Sequence, residues 1–368
     1  MPPSITLPDF QTEWRWPRQL NPHTAEIRQE SSDWAASFGA FSPRAQKSFD
    51  KCNFNLLTGL LYPWLNKEQL RCANDLMNFF FIFDEHSDKS SPNEVKDQVA
   101  IIMDALRNSE KPRPQGEWVG GEVARQFWER SCQNSTSQTF KRRFIKNMSD
   151  YLDGTAEQAA DRDRSHIRDL NSYFELRRKT IGVLSSFDML EMDMEIPDKV
   201  FEHPVIIELL ALAVDLTIIA NDVLSYDKEQ ASGDDEHNLI TIVMVAQGLD
   251  VQGAVDWAGS KHADMVKRFN KLFDEIPSYG DSIDKDVKAY MNGIAHWTGG
   301  NVQWSYESGR YFGNRGLEVM ETRSLRLSPK LKGANEIGPM IISDSILRST
   351  LKRLSAWARP KVSRAMQC

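Results

Sequence analysis

The sequence predicts an all-α fold, on three observations. Apolar residues recur at helical spacing along most of its 368 residues, in runs broken by Pro, Gly and Asn. The period-two alternation of Val, Thr and Tyr that marks strands is scarce. The 40% apolar content suffices for one helical core of this size. Three regions are expected: an irregular, Pro- and Trp-rich lead-in with a short helix over 1–45, a helical domain over 46–322, and a basic tail over 323–368.

Taken in order, residues 44–64 and 67–86 read as two helices meeting at Tyr62-Pro63. Ser91-Pro92-Asn93-Glu94 is a capping box with proline at the first helical position, so a helix follows to about Arg107. Pro112, Pro114 and Gly116 mark a loop. Further helices are predicted over 120–133, 136–160, 168–192, 204–230, 238–247, 251–275 and 284–312. The most apolar stretch, Val205 to Ala220, carries Glu208 and Asp215 and is expected to fall well short of membrane-spanning length. In the tail, Ile342, Ile346, Leu347, Leu351, Leu354 and Trp357 recur near helical spacing, with Arg348, Lys352 and Arg353 between them. That pattern fits a basic amphipathic helix touching a membrane or partner, or a packed appendage.

Net charge is −7, from 52 acidic and 45 basic residues, which argues against a nucleic-acid binder. The charge is uneven. Residues 323–368 hold ten Lys/Arg against two acids, a local +8, which leaves −15 on the remainder. Cys52, Cys72, Cys132 and Cys368 are scattered and form no CxxC pair, against both zinc and a disulfide framework. The start, Met1-Pro2-Pro3-Ser4, lacks a basic region and an apolar run. A cytoplasmic protein without stable membrane insertion, monomeric or homodimeric, is expected.

Chemistry concentrates in two acidic clusters 137 positions apart. The first, Asp84-Glu85-His86-Ser87-Asp88, follows Phe79-Phe80-Phe81-Ile82-Phe83. Asp84 and Asp88 are i and i+4 and share a helix face. The second is Asn221-Asp222-Val223-Leu224-Ser225-Tyr226-Asp227-Lys228-Glu229. Here Asn221, Ser225 and Glu229 are i, i+4 and i+8, so an amide oxygen, a hydroxyl and a carboxylate lie one turn apart. That is a three-point chelate for a hard cation. Carboxylates beside an apolar wall are costly unless neutralised, and Mg²⁺ holding a diphosphate would neutralise them. Lys228 is placed to meet a phosphate oxygen. Taken singly, each cluster also fits a solvated helix end.

Two further elements point the same way. Arg177-Arg178 sits on a predicted helix, and arginine's planar fork suits phosphate oxygens. Ile181 is i+4 from Arg177, so a cation contact and an apolar wall share a face; the alternative is a basic surface patch. Trp297, Trp304 and Tyr311 are seven apart and fall near one helix face, with Gly300 read as keeping space open between the first two. Aromatic faces beside a void suit a carbocation, at roughly 0.5–2 kcal/mol per contact; such a stripe also suits a core. Arg310 is placed to close over a diphosphate.

Across residues 40–315 these elements resemble a class I terpene synthase, specifically a fungal sesquiterpene synthase. Asp84–Asp88 resembles the D(D/E)xxD motif, with Glu85 in place of a second Asp. Asn221, Ser225 and Glu229 match the NSE triad within NDxxSxxKE, and Arg310-Tyr311 matches the RY pair. Arg177 resembles the diphosphate-sensing arginine, followed by Thr180 as linker and Ile181 as effector; the neighbouring Arg178 leaves that assignment ambiguous by one residue. Asn53-Phe54-Asn55-Leu56-Leu57 through Asp84-Glu85 looks like the mushroom-type subgroup, many of whose members close farnesyl cation by 1,11-cyclisation, as in protoilludene-type products.

The resemblance implies a single helical bundle around a central apolar cavity. Farnesyl diphosphate would bind there with three Mg²⁺, for which Mn²⁺ substitutes, held by Asp84, Asp88, Asn221, Ser225 and Glu229. Arg177, Lys228, Arg310 and Tyr311 would grip the diphosphate, and Phe80, Phe81, Ile181, Gly182 and Trp304 would line the pocket. Acyclic alcohol formation remains a variant of the same chemistry. A chain-elongating prenyltransferase is expected to carry a second aspartate-rich motif where this chain has Asn, Ser and Glu. Neither DxDD nor GxxxxGK[ST] occurs.

Overall fold

The computed structural model describes residues 4–330. Within them the chain forms α1 (Thr24–Ala36), α2 (Pro43–Lys51), α3 (Phe54–Leu61), α4 (Lys67–Ser87), α5 (Pro92–Arg107), α6 (Gly120–Gln133) and α7 (Gln138–Asp163). It continues with α8 (Leu170–Thr180), α9 (Val183–Asp188), α10 (Asp198–Phe201), α11 (Pro204–Ser232), α12 (Leu239–Gln247), α13 (Val251–Phe273), α14 (Asp281–Glu307) and α15 (Gly316–Thr322). The amphipathic tail pattern at 342–357 and Cys368 lie outside the described residues.

Local chemistry sets the helix ends. At α5 the Ser91 hydroxyl accepts from the Glu94 N–H, and the Glu94 carboxylate accepts from the Ser91 N–H at 2.7 Å, the reciprocal capping box the sequence announced. Asn66 and Gln69 do the same for α4. Three expected helices are interrupted. The one over 44–64 divides at Asn53, whose left-handed backbone (φ 50°) lets its side chain cap α3. The one over 168–192 breaks at Gly182 (φ 69°), where a side chain would be strained. The one over 284–312 stops at Glu307, so Tyr311 lies beyond the helix that carries Trp297 and Trp304.

Two strands form where few were expected. β1 (Ser4–Thr6) pairs antiparallel with β2 (Ser324–Arg326), tying the lead-in to the segment after α15. Phe10, Trp34 and Phe38 from the lead-in are buried in the same core as the bundle. Arg18 reaches Glu307 with two bonds of 2.6 and 2.9 Å.

α11 runs through the middle, packed on α13 and α14; α14 also packs on α3, and α5 on α6 and α7. Helix α11 is longer than its apolar stretch suggested. At 29 residues it has the length and composition to cross a membrane, but 56% of its most apolar window is inside the bundle. Its polar C-terminal half carries Asn221 to Glu229, which explains why a core helix is this long.

The role expected of Gly300 is corrected. A Cβ there would lie 2.7 Å from the Leu60 carbonyl oxygen, so the glycine lets the backbones of α3 and α14 approach each other rather than holding a void open.

Candidate active site

Four helical segments converge on one cavity of about 230 Å³. From α4 come Phe80, Phe81, Asp84 and Asp88, while Phe79, Ile82 and Phe83 turn into the core. The α8–α9 break contributes Arg177, Thr180, Ile181 and Gly182. From α11 come Thr217, Asn221, Lys228 and Glu229. From α14 come Trp297, Asn301 and Trp304, followed by Arg310 and Tyr311. Of the residues expected to hold metal, grip the diphosphate or line the pocket, Ser225 alone is absent from the lining; it is 1% exposed.

The floor is apolar and rigid. Phe81 stacks on Phe54 at 4.0 Å between centroids, and Trp304 lies 6.0 Å from Phe81 and 5.8 Å from Tyr311. The indole N–H groups are anchored outside the cavity. Trp304 donates to the Cys52 carbonyl at 2.8 Å, and Trp297 to the Tyr62 hydroxyl at 3.2 Å. Gly182 faces the Phe80 ring, which a Cβ would meet at 3.4 Å.

The mouth is charged. On α11, Asp222 points away from the stripe of Asn221 and Glu229 and accepts from the Arg177 guanidinium at 2.9 and 3.2 Å, from the Leu239 N–H at 2.9 Å and from the Tyr173 hydroxyl. Burial is the largest influence and opposes the Arg177 charge, but Asp222, Tyr173 and Glu229 together outweigh it and hold the guanidinium well above its ordinary pKa. Arg178, by contrast, pairs with Asp215 at 2.7 Å and takes no part in the lining. Asn221 accepts from Arg177 at 2.9 Å and donates to the Tyr311 hydroxyl at 3.1 Å.

Across the cavity, Arg310 lies 4.4 Å over the Phe81 ring, and its Nη2 is 3.9 Å from Asp84. Its Nε is buried without a partner. The Asp84 side chain is half open to the cavity (49%), yet enclosure by the wall pushes its pKa up, against the pull of Arg310. Asp88 is held at the rim by Arg162, 3.4 Å away, which also donates to the Ser87 and Ser90 carbonyls at 2.7 and 3.2 Å.

Glu229 has no cation within ion-pair distance among the described residues. Burial pushes its carboxyl up, and Asn238 donates to it at 2.9 Å. No three His, Cys, Asp or Glu side chains cluster among the described residues. The donors on α11 are instead an amide, a hydroxyl and one carboxylate, a set that fits a hard divalent cation shared with a ligand's oxygens.

The sequence from 75 to 268 matches the family described as terpene synthase family 2, C-terminal metal binding. The chain is 49% identical over 344 residues to a Delta(6)-protoilludene synthase of Stereum hirsutum, covering 93% of each chain. The chain belongs to the terpene synthase family. A Delta(6)-protoilludene synthase of Armillaria gallica is 47% identical, over 93% of this terpene synthase and 99% of that one. Sesquiterpene synthase 14 of Postia placenta is 44% identical, over 90% and 94%. Among solved structures, germacradien-4-ol synthase from Streptomyces citricolor superposes with a TM-score of 0.69 at 26% identity, over 81% of this chain and 99% of that one. An a-eudesmol synthase gives 0.71 at 21% identity, over 80% and 98%, a likeness of fold.

This terpene synthase also uses residues that the sequence reading passed over. Asn238 caps α12 and donates to the Asp222 carbonyl at 2.8 Å as well as to Glu229. Its signal was available as an N-cap residue before an apolar run. Arg162 fell just past the expected end of its helix, which continues to Asp163. Tyr151, His237 and Asn301 also line the cavity and carried no local pattern.

Proposed function

We propose that this terpene synthase ionises farnesyl diphosphate and cyclises the resulting cation to a sesquiterpene hydrocarbon, by 1,11-closure leading to a protoilludene-type skeleton, the last cation losing its proton to the released diphosphate. The observation that carries the reading is the shared cavity: Asp84 on α4 and Asn221 and Glu229 on α11 line one hollow together with Phe80, Phe81 and Trp304.

The diphosphate sits at the mouth, where Arg177, Lys228, Arg310 and the Tyr311 hydroxyl converge. A divalent metal is the family's cofactor; three Mg²⁺, replaceable by Mn²⁺, would be held by Asp84, Asp88, Asn221, Ser225 and Glu229. Bound there, the ions supply positive charge that stabilises the departing diphosphate. Arg177 and Arg310, both kept charged in a walled-in site, contribute in the same sense, since fixed charges aimed at developing negative charge act strongly away from bulk water.

The hydrocarbon chain lies against the aromatic floor. Ring faces there stabilise positive charge without offering a nucleophile. The hydrogen bonds that anchor both indoles keep the floor from collapsing into the space the chain needs. Exclusion of water protects the cation from capture as an alcohol.

The test is incubation of the protein with farnesyl diphosphate and Mg²⁺, with products identified by gas chromatography and mass spectrometry. A tricyclic C15 hydrocarbon of protoilludene type is expected. Farnesol or a longer prenyl diphosphate as the product would sink the assignment.

A further inference from the structure

Resting on that reading, we infer that Asn301 determines which carbocation the cavity favours, by placing a permanent dipole between the two indoles of the α14 wall. On α14, Trp297, Asn301 and Trp304 are i, i+4 and i+7, and all three line the cavity. The amide therefore stands between the two indoles on the surface along which the hydrocarbon chain folds. Among the α14 residues in the lining it is the one carboxamide.

The amide is not explained by packing. Asn301 is 6% exposed, and its Nδ2 is buried without a hydrogen-bond partner among the described residues. Of the hydroxyls in the lining, Thr217 donates to the Ala213 carbonyl at 2.8 Å and Ser186 to the Gly182 carbonyl at 2.8 Å, whereas Thr180 at the α8–α9 break is, like the amide, buried without a partner among the described residues. A buried amide left unpaired destabilises a fold, and a leucine of similar volume would remove that cost. A polar group kept at such a place belongs with function, where local stability is commonly given up.

The chemistry follows from the neighbours. Positive charge migrating along the chain is stabilised by the Trp297 and Trp304 faces wherever it lies near them. An amide dipole fixed between them makes one position along that path lower in energy than its neighbours. It acts on the partition between competing closures and shifts after ionisation. It acts less on departure of the diphosphate, which happens at Arg177, Arg310 and the acidic clusters.

The experiment compares wild type, Asn301→Leu and Asn301→Ala, each with farnesyl diphosphate and Mg²⁺. Diphosphate release, product ratios and melting temperature are measured on each. In both variants the ratio of main product to side products should fall about tenfold, the effect of one lost contact of roughly cation–π strength. Diphosphate release should stay within about threefold of wild type. Asn301→Leu should melt at or above the wild-type temperature, whereas a structural amide would lower it. Turnover with unchanged product ratios in both variants overturns the proposal alone. So does a changed ratio in Asn301→Ala with none in Asn301→Leu, which would assign the residue to volume. Absence of any terpene from the wild type overturns the underlying reading, and this inference with it.

Discussion

The Arg177 guanidinium donates from Nη2 to the Asn221 Oδ1 at 2.9 Å, and the same nitrogen lies 2.9 Å from Asp222. The arginine assigned to the diphosphate thus rests on the amide oxygen assigned to the metal. Its neighbour Arg178 is engaged elsewhere, with Asp215.

This relationship orders two substitutions. Arg177→Ala should lower kcat/KM with farnesyl diphosphate by at least about a hundredfold, because a fixed charge aimed at the leaving group is lost. Arg178→Ala should stay within about fivefold, since Arg178 is half-exposed on Asp215 and takes no part in the lining. Steady-state kinetics on both variants decides it, and the reverse ranking would move the role by one residue.

Asn221→Leu and Glu229→Leu should each abolish hydrocarbon formation. Wild-type protein should gain melting temperature when Mg²⁺ and inorganic diphosphate are added together, as any ligand that binds only the folded state requires. The two variants should show little of that gain. Differential scanning fluorimetry with EDTA as the reference reads this without turnover, and a full shift in the variants would remove both residues from the metal site.

Gly300→Ala should destabilise the bundle by about 1–3 kcal/mol, as overpacking in a rigid core does. The added Cβ would stand 2.7 Å from the Leu60 carbonyl oxygen, and backbone has no rotamer into which to retreat. Urea denaturation gives the difference directly; an unchanged midpoint would show that α3 and α14 can separate freely.

Stability should fall as pH rises from about 5 to 8, with Glu191 as one source. Glu191 is buried on the far side of α9, and burial pushes its carboxyl up to about 7 against the pull of Arg143. A carboxyl whose folded value lies above its unfolded value binds more protons in the folded state between the two. Its contribution is therefore full below the unfolded value near 4.5 and is lost as pH rises through 7. The loss is on the order of 2 kcal/mol. Glu191→Gln should flatten the decline in melting temperature over that range, and an equally steep decline in the variant would exclude the residue.

Much of the site was legible because its chemistry is written at helical spacing. Asp84 and Asp88, and Asn221 with Glu229, sit one or two turns apart, and a helix puts such residues on one side whatever surrounds it. Capping boxes did the same for helix ends, as at Ser91 and Glu94. What spacing could not convey was the direction each face turns. Gly300 was assigned to the cavity but meets the backbone of α3. Asn53 and Gly182 broke helices whose apolar periodicity ran straight through them, because left-handed backbone is chosen by tertiary packing and leaves the pattern of neighbours intact.

By itself the sequence determined the all-α class, the two stripes of oxygen-bearing side chains and the aromatic residues near them, since these follow from periodicity and side-chain chemistry within single helices. Only the tertiary structure decided that α4, α8, α11 and α14 enclose one hollow, that Arg177 rather than Arg178 faces it, and that Asn301 stands unpaired between two indoles. Those facts depend on how helices distant in the chain rotate and pack against each other, which is set by the shapes of the whole core.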